Sequence, residues 1–236
     1  MRFDENALQQ VRETRFLIDR VDDWIYSEFD PHIGQRILDV GCGLGNLVGR
    51  LCDRELVVGV DTDMASIETL RGIYSGSERV RLFCMDICSD QARSLDRFAL
   101  DTAISINVLE HVEDDVCALA NMGDLVVPGG YVITIVPAHP WLYGSIDRAI
   151  GHLRRYDKAS MAAALTRAHL VPVMQKYINL AGALGWFVNS RLLRKSVPPT
   201  DQLKAFNRMV PLLRRLEQAI PVPVGISLLT IARKAE

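Results

Sequence analysis

From Arg36 onward, short apolar runs alternate with segments of helical period. The runs RILDV, LVVGVD, VRLFCMD, DTAISIN and YVITIVP are rich in β-branched residues and too short for helices, so each predicts a buried strand. Between them the spacing predicts helices over residues 46–52, 65–73 and 113–125, with a short one within 90–95. Strands joined by helices in this way predict an α/β fold, a mostly parallel sheet covered on both faces. Ahead of the sheet, Ala7, Leu8, Val11, Leu17, Ile18, Val21, Trp24 and Ile25 recur at helical spacing. They predict one long helix over 4–29, ended by Pro31 and Gly34.

The pattern changes after Pro137. A helix near 158–168 precedes a sixth strand at 171–179, and an apolar helical segment, LAGALGWFVNSRLL, fills 180–193. After the Pro198–Pro199 break, Leu203, Phe206, Val210, Leu213 and Leu216 share one side of a further helix, which Pro211 should bend or split. GISLLTIARK supplies a seventh strand. No repeat or low-complexity tract interrupts the chain. The expectation is one domain over 1–236, with an N-terminal helical cover (1–33), a core (34–136), an insert (137–157) and a C-terminal helical insertion (181–220).

Composition narrows the classes. With 27 basic and 29 acidic residues the net charge is −2, which gives no support for nucleic-acid binding through a basic surface. MRFDENALQQ is too polar for a signal peptide, and no uncharged apolar stretch reaches the length of a transmembrane span, so a cytoplasmic protein is expected. Cys84 and Cys88 lack a second pair to complete a zinc site. The five cysteines are expected to be reduced and mostly buried, with no metal bound.

The stretch LDVGCGLGN carries the first chemistry. Gly41, Gly43 and Gly45 follow a strand and open a helix, so backbone N–H groups can approach a ligand closely. Asp61 ends the next strand, where a carboxylate can accept from a ribose diol. Asn46 stands where a dinucleotide fingerprint needs its third glycine, and no P-loop G-K-[ST] follows. Asp39, just before the glycines, would repel a pyrophosphate but suits a cofactor with a cationic end.

Taken together, ILDVGCGLGN, GVDTD, MDI and SINVLEHVEDD, within about residues 34–136, resemble the class I S-adenosylmethionine-dependent methyltransferases. The resemblance implies a Rossmann-like fold with a mostly parallel seven-stranded sheet. It also implies S-adenosyl-L-methionine as cofactor and S-adenosyl-L-homocysteine as product. Gly41, Gly43 and Gly45, with Cys42 beside them, would line the methionine and ribose side. Asp61 would take the ribose hydroxyls, next to Thr62, in preference to the second acid at Asp63. Asp86 would accept from the adenine amine between Met85 and Ile87, and Asn107 and Leu109 would pass under the methionyl part. GHLRRYD is similar to an element of bacterial methyltransferases of the broad type 11/12 small-molecule grouping.

VPAHPWLYGSIDRAIGHLRRYD, residues 136–157, leaves the end of the fifth strand, and in open α/β sheets ligands lie beyond such strand ends. It reads as the acceptor side. His139 and His152 are candidate bases, Asp147 is a candidate orienting carboxylate, and His111 is either a helix-start residue or a pocket residue. Trp141 and Tyr143 are candidates to enclose an apolar acceptor, Arg154 and Arg155 to grip an acidic or phosphorylated group, and Tyr156, like Asp147, to orient a histidine or bind a polar substituent. Asp157 alternatively caps the following helix, and Trp141 alternatively packs the insert. The 180–193 segment has two readings: a lid or dimer helix whose apolar side packs, which is preferred, or a helix lying on a membrane surface.

The expected function is methyl transfer to a small-molecule acceptor, O-methylation favoured over N-methylation. Alternatives are a lipid or lipid-linked sugar, or a protein, as acceptor. The N-P-P-Y signature of DNA amino-group methylation is absent. A NAD-dependent oxidoreductase and a non-catalytic scaffold are the readings from other classes.

Overall fold

The structure is a computed structural model and describes residues 6, 10, 15–219 and 222–234. A 3-10 turn, Arg15–Ile18, leads into α1, Asp19–Phe29. The sheet then starts with β1 (Arg36–Val40), α2 (Asn46–Leu51), β2 (Leu56–Asp61), α3 (Met64–Ile73) and β3 (Val80–Cys84). After a 3-10 segment, Asp90–Phe98, come β4 (Leu100–Ile106), α4 (Asp115–Leu125) and β5 (Val126–Pro137). The second half contains α5 (Ser145–Ala149), α6 (Lys158–Arg167), β6 (Leu170–Ile178) and α7 (Leu180–Trp186). A π-helical segment, Phe187–Leu192, continues α7, and α8 (Thr200–Ala219) and β7 (Ser227–Lys234) follow.

The seven strands lie in the order β3-β2-β1-β4-β5-β7-β6. The β1/β2, β2/β3, β1/β4 and β4/β5 ladders are parallel. The chain runs outward from β1 to β3, then returns to place β4 on the other side of β1. That reversal opens a crevice at the carboxyl ends of β1 and β4, where doubly wound sheets bind ligands. The apolar runs read from the sequence are its walls: Leu38 pairs with Val58 and with Ala103, and all three are fully buried. Burying Leu38 and Val58 contributes about 1.5–3 kcal/mol each.

The described residues form two compact units. One comprises residues within 32–135, 160–175 and 230–236 and holds most of the sheet. The other comprises residues within 1–31, 136–159 and 176–229. In this second unit α1 buries Trp24 and Phe29, and Asn207 on α8 both accepts from the Arg20 N–H (3.1 Å) and donates to Asp19 (2.6 Å). Asn179 caps α7 by accepting from Gly182 N (2.7 Å), while the Glu217 carboxylate accepts from the Asn179 and Leu180 N–H groups. A start that polar lets α7 begin at a left-handed residue, Asn179 at φ +70°.

Several expectations change. Residues 4–5, 7–9 and 11–14 of the expected 4–29 helix lie outside the described residues, and 15–18 form a 3-10 turn rather than α-helix. Pro211 does not split α8: the helix runs from Thr200 to Ala219, because the loss of one N–H donor is offset by contacts that pin α8 to α1. The short helix expected within 90–95 is a longer 3-10 segment reaching Phe98. Of the five cysteines, all free, Cys42 is buried and the other four are half-buried. The preferred packing of 180–193 also fails in part. Leu184 and Leu192 are each 62% exposed, and Val188 and Leu193 are exposed too. Among the described residues no helix is long and apolar enough to cross a membrane.

Candidate functional site

At the carboxyl end of β1 the loop Gly41–Gly45 is held by backbone. Gly41 N and Cys42 N both donate to Val60 O (2.8 and 3.0 Å), and Gly45 N donates to Cys42 O (2.8 Å). Gly41, Gly43 and Gly45 have φ of +74°, +49° and +82°, the left-handed region that favours glycine. At Gly41 there is a second constraint: a Cβ there would lie 2.2 Å from Val108 Cγ2. Gly43 differs, because a Cβ there would meet nothing nearer than Gly41 O at 4.0 Å. The loop thus presents an open backbone face at Gly43 and a closed one at Gly41.

Asp61 ends β2 and accepts from Gly43 N (2.8 Å) and Asp63 N (2.9 Å). Asp63 is committed elsewhere, because it caps α3 by accepting from Ala65 N (3.1 Å) and from the Ser66 hydroxyl (2.8 Å). That division favours Asp61 over Asp63 as the ligand-facing acid. Thr62 lies exposed between them. Beyond β3, the exposed Asp86 accepts from Cys88 N through Oδ1 (2.8 Å), next to half-buried Met85 and buried Ile87. Asn107, after β4, takes φ +54° and donates its N–H to Ile135 O (2.8 Å). Leu109 is fully buried, so its side chain supports the crevice from the core. Asp39 is buried on β1, and His111 is exposed. The Cys42 thiol is pushed well above its ordinary range by burial and by the Asp39 and Asp61 carboxylates, and stays protonated.

The 138–157 segment is held instead by side chains. Asp147 is fully buried and accepts four bonds: from Arg155 Nε (2.7 Å), His152 Nδ1 (2.9 Å), Gly144 N (2.9 Å) and Trp186 Nε1 (3.2 Å). Burial raises its pKa, but the His152 and Arg155 interactions outweigh that and hold it below the ordinary 3.8. An ionised Asp147 favours the His152 tautomer that carries its proton on Nδ1. Arg155 also donates to Ala138 O (3.0 Å) and stacks over Trp186, 4.8 Å from the ring centroid. Tyr143 donates its hydroxyl to His152 O (2.7 Å). Burial and then Asp147 push that phenol upward, so it remains a donor.

His139 occupies a different environment. It takes φ +59°, and its ring packs against Tyr177 (4.3 Å between centroids) and Trp141 (5.5 Å). Nε2 faces the Gly225 N–H at 3.4 Å, a long contact. Burial and then the Arg155 charge lower its pKa from 6.5, so the ring is neutral at pH 7. Trp141 is 52% exposed, Arg154 is half-buried and Tyr156 is buried, with its N–H donating to Pro137 O (2.9 Å). Trp186, Tyr177 and Gly225 carry no signal in the sequence that marks them as site residues. They reach Asp147 and His139 from 38 or more residues away, and no spacing links them.

Residues 38–132 match the family model described as a methyltransferase domain. A protein of Mycobacterium tuberculosis named as an uncharacterized methyltransferase is 31% identical over 129 residues, 54% of this chain and 61% of that one. The tRNA U34 carboxymethyltransferase of Vibrio vulnificus is 32% identical over 198 residues, 79% of this chain and 56% of that one. The chain therefore spans about three-fifths of the length of these curated relatives. Among solved structures, geranyl diphosphate C-methyltransferase from Streptomyces coelicolor, crystallised with Mg2+, geranyl diphosphate and S-adenosyl-L-homocysteine, gives a TM-score of 0.61. It is 17% identical, covers 92% of this chain and 78% of that one, and carries the likeness of fold alone.

Proposed function

We propose that the chain, whose residues 38–132 match a methyltransferase-domain model, is a class I S-adenosylmethionine-dependent methyltransferase, and that it transfers a methyl group from S-adenosylmethionine to a small-molecule acceptor, at oxygen in preference to nitrogen. The observation that carries this reading is the pairing of an open glycine backbone at Gly43 with Asp61, joined by a 2.8 Å hydrogen bond.

The residues present fit the cofactor. Asp61 would accept from the ribose diol while its bonds to Gly43 and Asp63 keep it in place. Asp86, exposed with Oδ1 already engaged by Cys88 N, would offer Oδ2 to the adenine amine. Asp39 complements a cationic centre near the glycines. Gly41, Cys42, Gly45, Thr62, Met85, Ile87, Asn107 and Leu109 complete the lining. When bound, the cofactor supplies an electrophilic methyl on a sulfonium. The protein contributes alignment and the exclusion of water.

On the acceptor side His152 is the base: its Nε2 would take the acceptor's hydroxyl proton, and Asp147 stabilises the imidazolium so formed. Arg155 and Trp186 are positioning residues, because both bond to Asp147. His139 is a packing residue, with its ring against those of Tyr177 and Trp141. A need for a base supports a hydroxyl acceptor, since an amine needs only to be neutral. Trp141 and Tyr143 would shape the pocket, with Arg154 at its polar edge.

The purified protein, incubated with S-adenosylmethionine and a panel of hydroxyl- and amine-bearing metabolites, is to be read by mass spectrometry for the mass of one added methylene. A hydroxyl compound is expected to gain it. Transfer to tRNA and to none of the metabolites would overturn the small-molecule reading.

A further inference from the structure

A cavity of about 410 Å3 lies between α5 and the π-helical segment that follows α7. Arg148, Arg191 and Arg194 line it together with Phe187 and Leu192. Its floor is fixed. The Ser145 hydroxyl donates to Ser190 O (2.8 Å), Ile146 N donates to Ser190 Oγ (3.2 Å), and a Cβ at Gly144 would meet Ser190 Oγ at 2.2 Å. Arg191 donates to Tyr143 O (2.9 Å). None of the three guanidiniums pairs with a carboxylate among the described residues. Three like charges around one hollow repel unless an anion occupies it, and guanidinium is the side chain suited to bidentate binding of phosphate.

Two further observations bear on what the cavity holds. Arg194 takes φ +51°, just past the helical end at Leu193, a position that usually carries glycine. An arginine there costs backbone strain and places a charge at the cavity rim. Beside the cavity, Leu184, Val188 and Leu192 recur every fourth residue, and with Leu193 they form an exposed apolar stripe. The widened π turn, closed by Leu193 N donating to Val188 O (2.8 Å), brings Leu192 and Leu193 together above Val188. An apolar stripe bordered by arginines is the pattern of a helix lying in a membrane interface.

We propose that this cavity and stripe form a docking site for an anionic phospholipid at a membrane surface. The arginines take the phosphate, and Leu184, Val188 and Leu192 enter the acyl boundary. The inference does not rest on methyl transfer, and it reverses the packing reading of the 180–193 segment.

The test is flotation of the full chain with vesicles of phosphatidylcholine alone and of phosphatidylcholine mixed with phosphatidylglycerol. Co-flotation is expected with the mixed vesicles only. R194G and R148Q should each lower vesicle affinity roughly fivefold, since a surface arginine near an anionic leaflet contributes about one factor of this size. R194G should do so with an unchanged or raised Tm, because glycine relieves the left-handed residue, so a folding defect cannot explain the loss. L184E/L192E should abolish flotation. Absence of flotation, equal flotation with neutral vesicles, or full retention by R194G and R148Q would overturn the proposal. Binding of inorganic phosphate by the soluble protein, without vesicle binding, would overturn its lipid source.

Discussion

In the loop after β1 the organising hydrogen bonds come from the backbone: Gly41, Cys42 and Gly45 donate to main-chain carbonyls, and one side chain, Asp61, joins them. In the segment after β5 they come from side chains: Asp147 alone gathers Arg155, His152 and Trp186 as well as the Gly144 N–H. A backbone cradle suits a ligand that is always the same, because its geometry depends on φ values and a few glycines. A cluster of side chains can be re-cut for different acceptors by exchanging residues. The first region is constrained chiefly by the left-handed φ values of its glycines, the second chiefly by the side chains that meet at Asp147.

The largest effect should separate the two histidines. With a working acceptor, H152A should lower turnover about 10²–10⁴-fold, the usual loss of a general base, while leaving S-adenosylhomocysteine affinity nearly unchanged. H139A should lower Tm and leave turnover within a few-fold. Equal turnover losses in both variants would erase the distinction drawn between base and packing residue.

Next comes D147N, read by urea unfolding. The amide cannot neutralise Arg155, and breaking a buried pair of this kind costs about 3–5 kcal/mol. Because the Asp147 pKa is lowered in the folded protein, its contribution is present at all pH values above 3.8 and is lost as pH falls through the lowered folded value. The wild-type advantage over D147N should therefore persist at pH 5 and fade only in strong acid. An advantage already fading between pH 7 and 5 would contradict an ionised Asp147.

A smaller pair of effects sharpens the contrast within the glycine loop. G41A should lose about 1–3 kcal/mol of stability, since the new Cβ meets Val108. G43A should lose less, because its side of the loop is open, and should instead show weakened S-adenosylhomocysteine binding. The reverse order, measured by thermal unfolding and calorimetry, would mean that Gly43 does not face the ligand.

The same contrast decides what is legible in the sequence. The strands, the glycine loop and Asp61 are legible because each depends on local pattern: an apolar run, a turn that needs positive φ, an acid at a strand end. The partition between Asp61 and Asp63 needs the structure, since only the cap bonds of Asp63 show its other role. His152 and Asp147 are legible as chemistry, five residues apart, but the sequence gives no ground for ranking His152 above His139. What distinguishes His139 is the Tyr177 ring and Gly225, both distant in sequence. Arg155 reads as a grip for an acidic group, and the structure buries it against Asp147 and Trp186. The exposed stripe at Leu184, Val188 and Leu192 is hidden because hydrophobicity alone favours packing, and the π turn that sets its geometry has no sequence signature here.

The central claim is that the Gly41–Gly45 loop and Asp61 form a binding site for S-adenosylmethionine and its product. Isothermal titration of S-adenosylhomocysteine into the wild-type protein and D61A, in metal-free buffer and beside a NAD control, tests it most directly. The account predicts binding to the wild type, with NAD weaker by about tenfold or more. It further predicts a loss of about 1.5–3 kcal/mol in D61A, the worth of a charge-assisted diol interaction. Equal affinity for the two ligands, or an unchanged affinity in D61A, would contradict it.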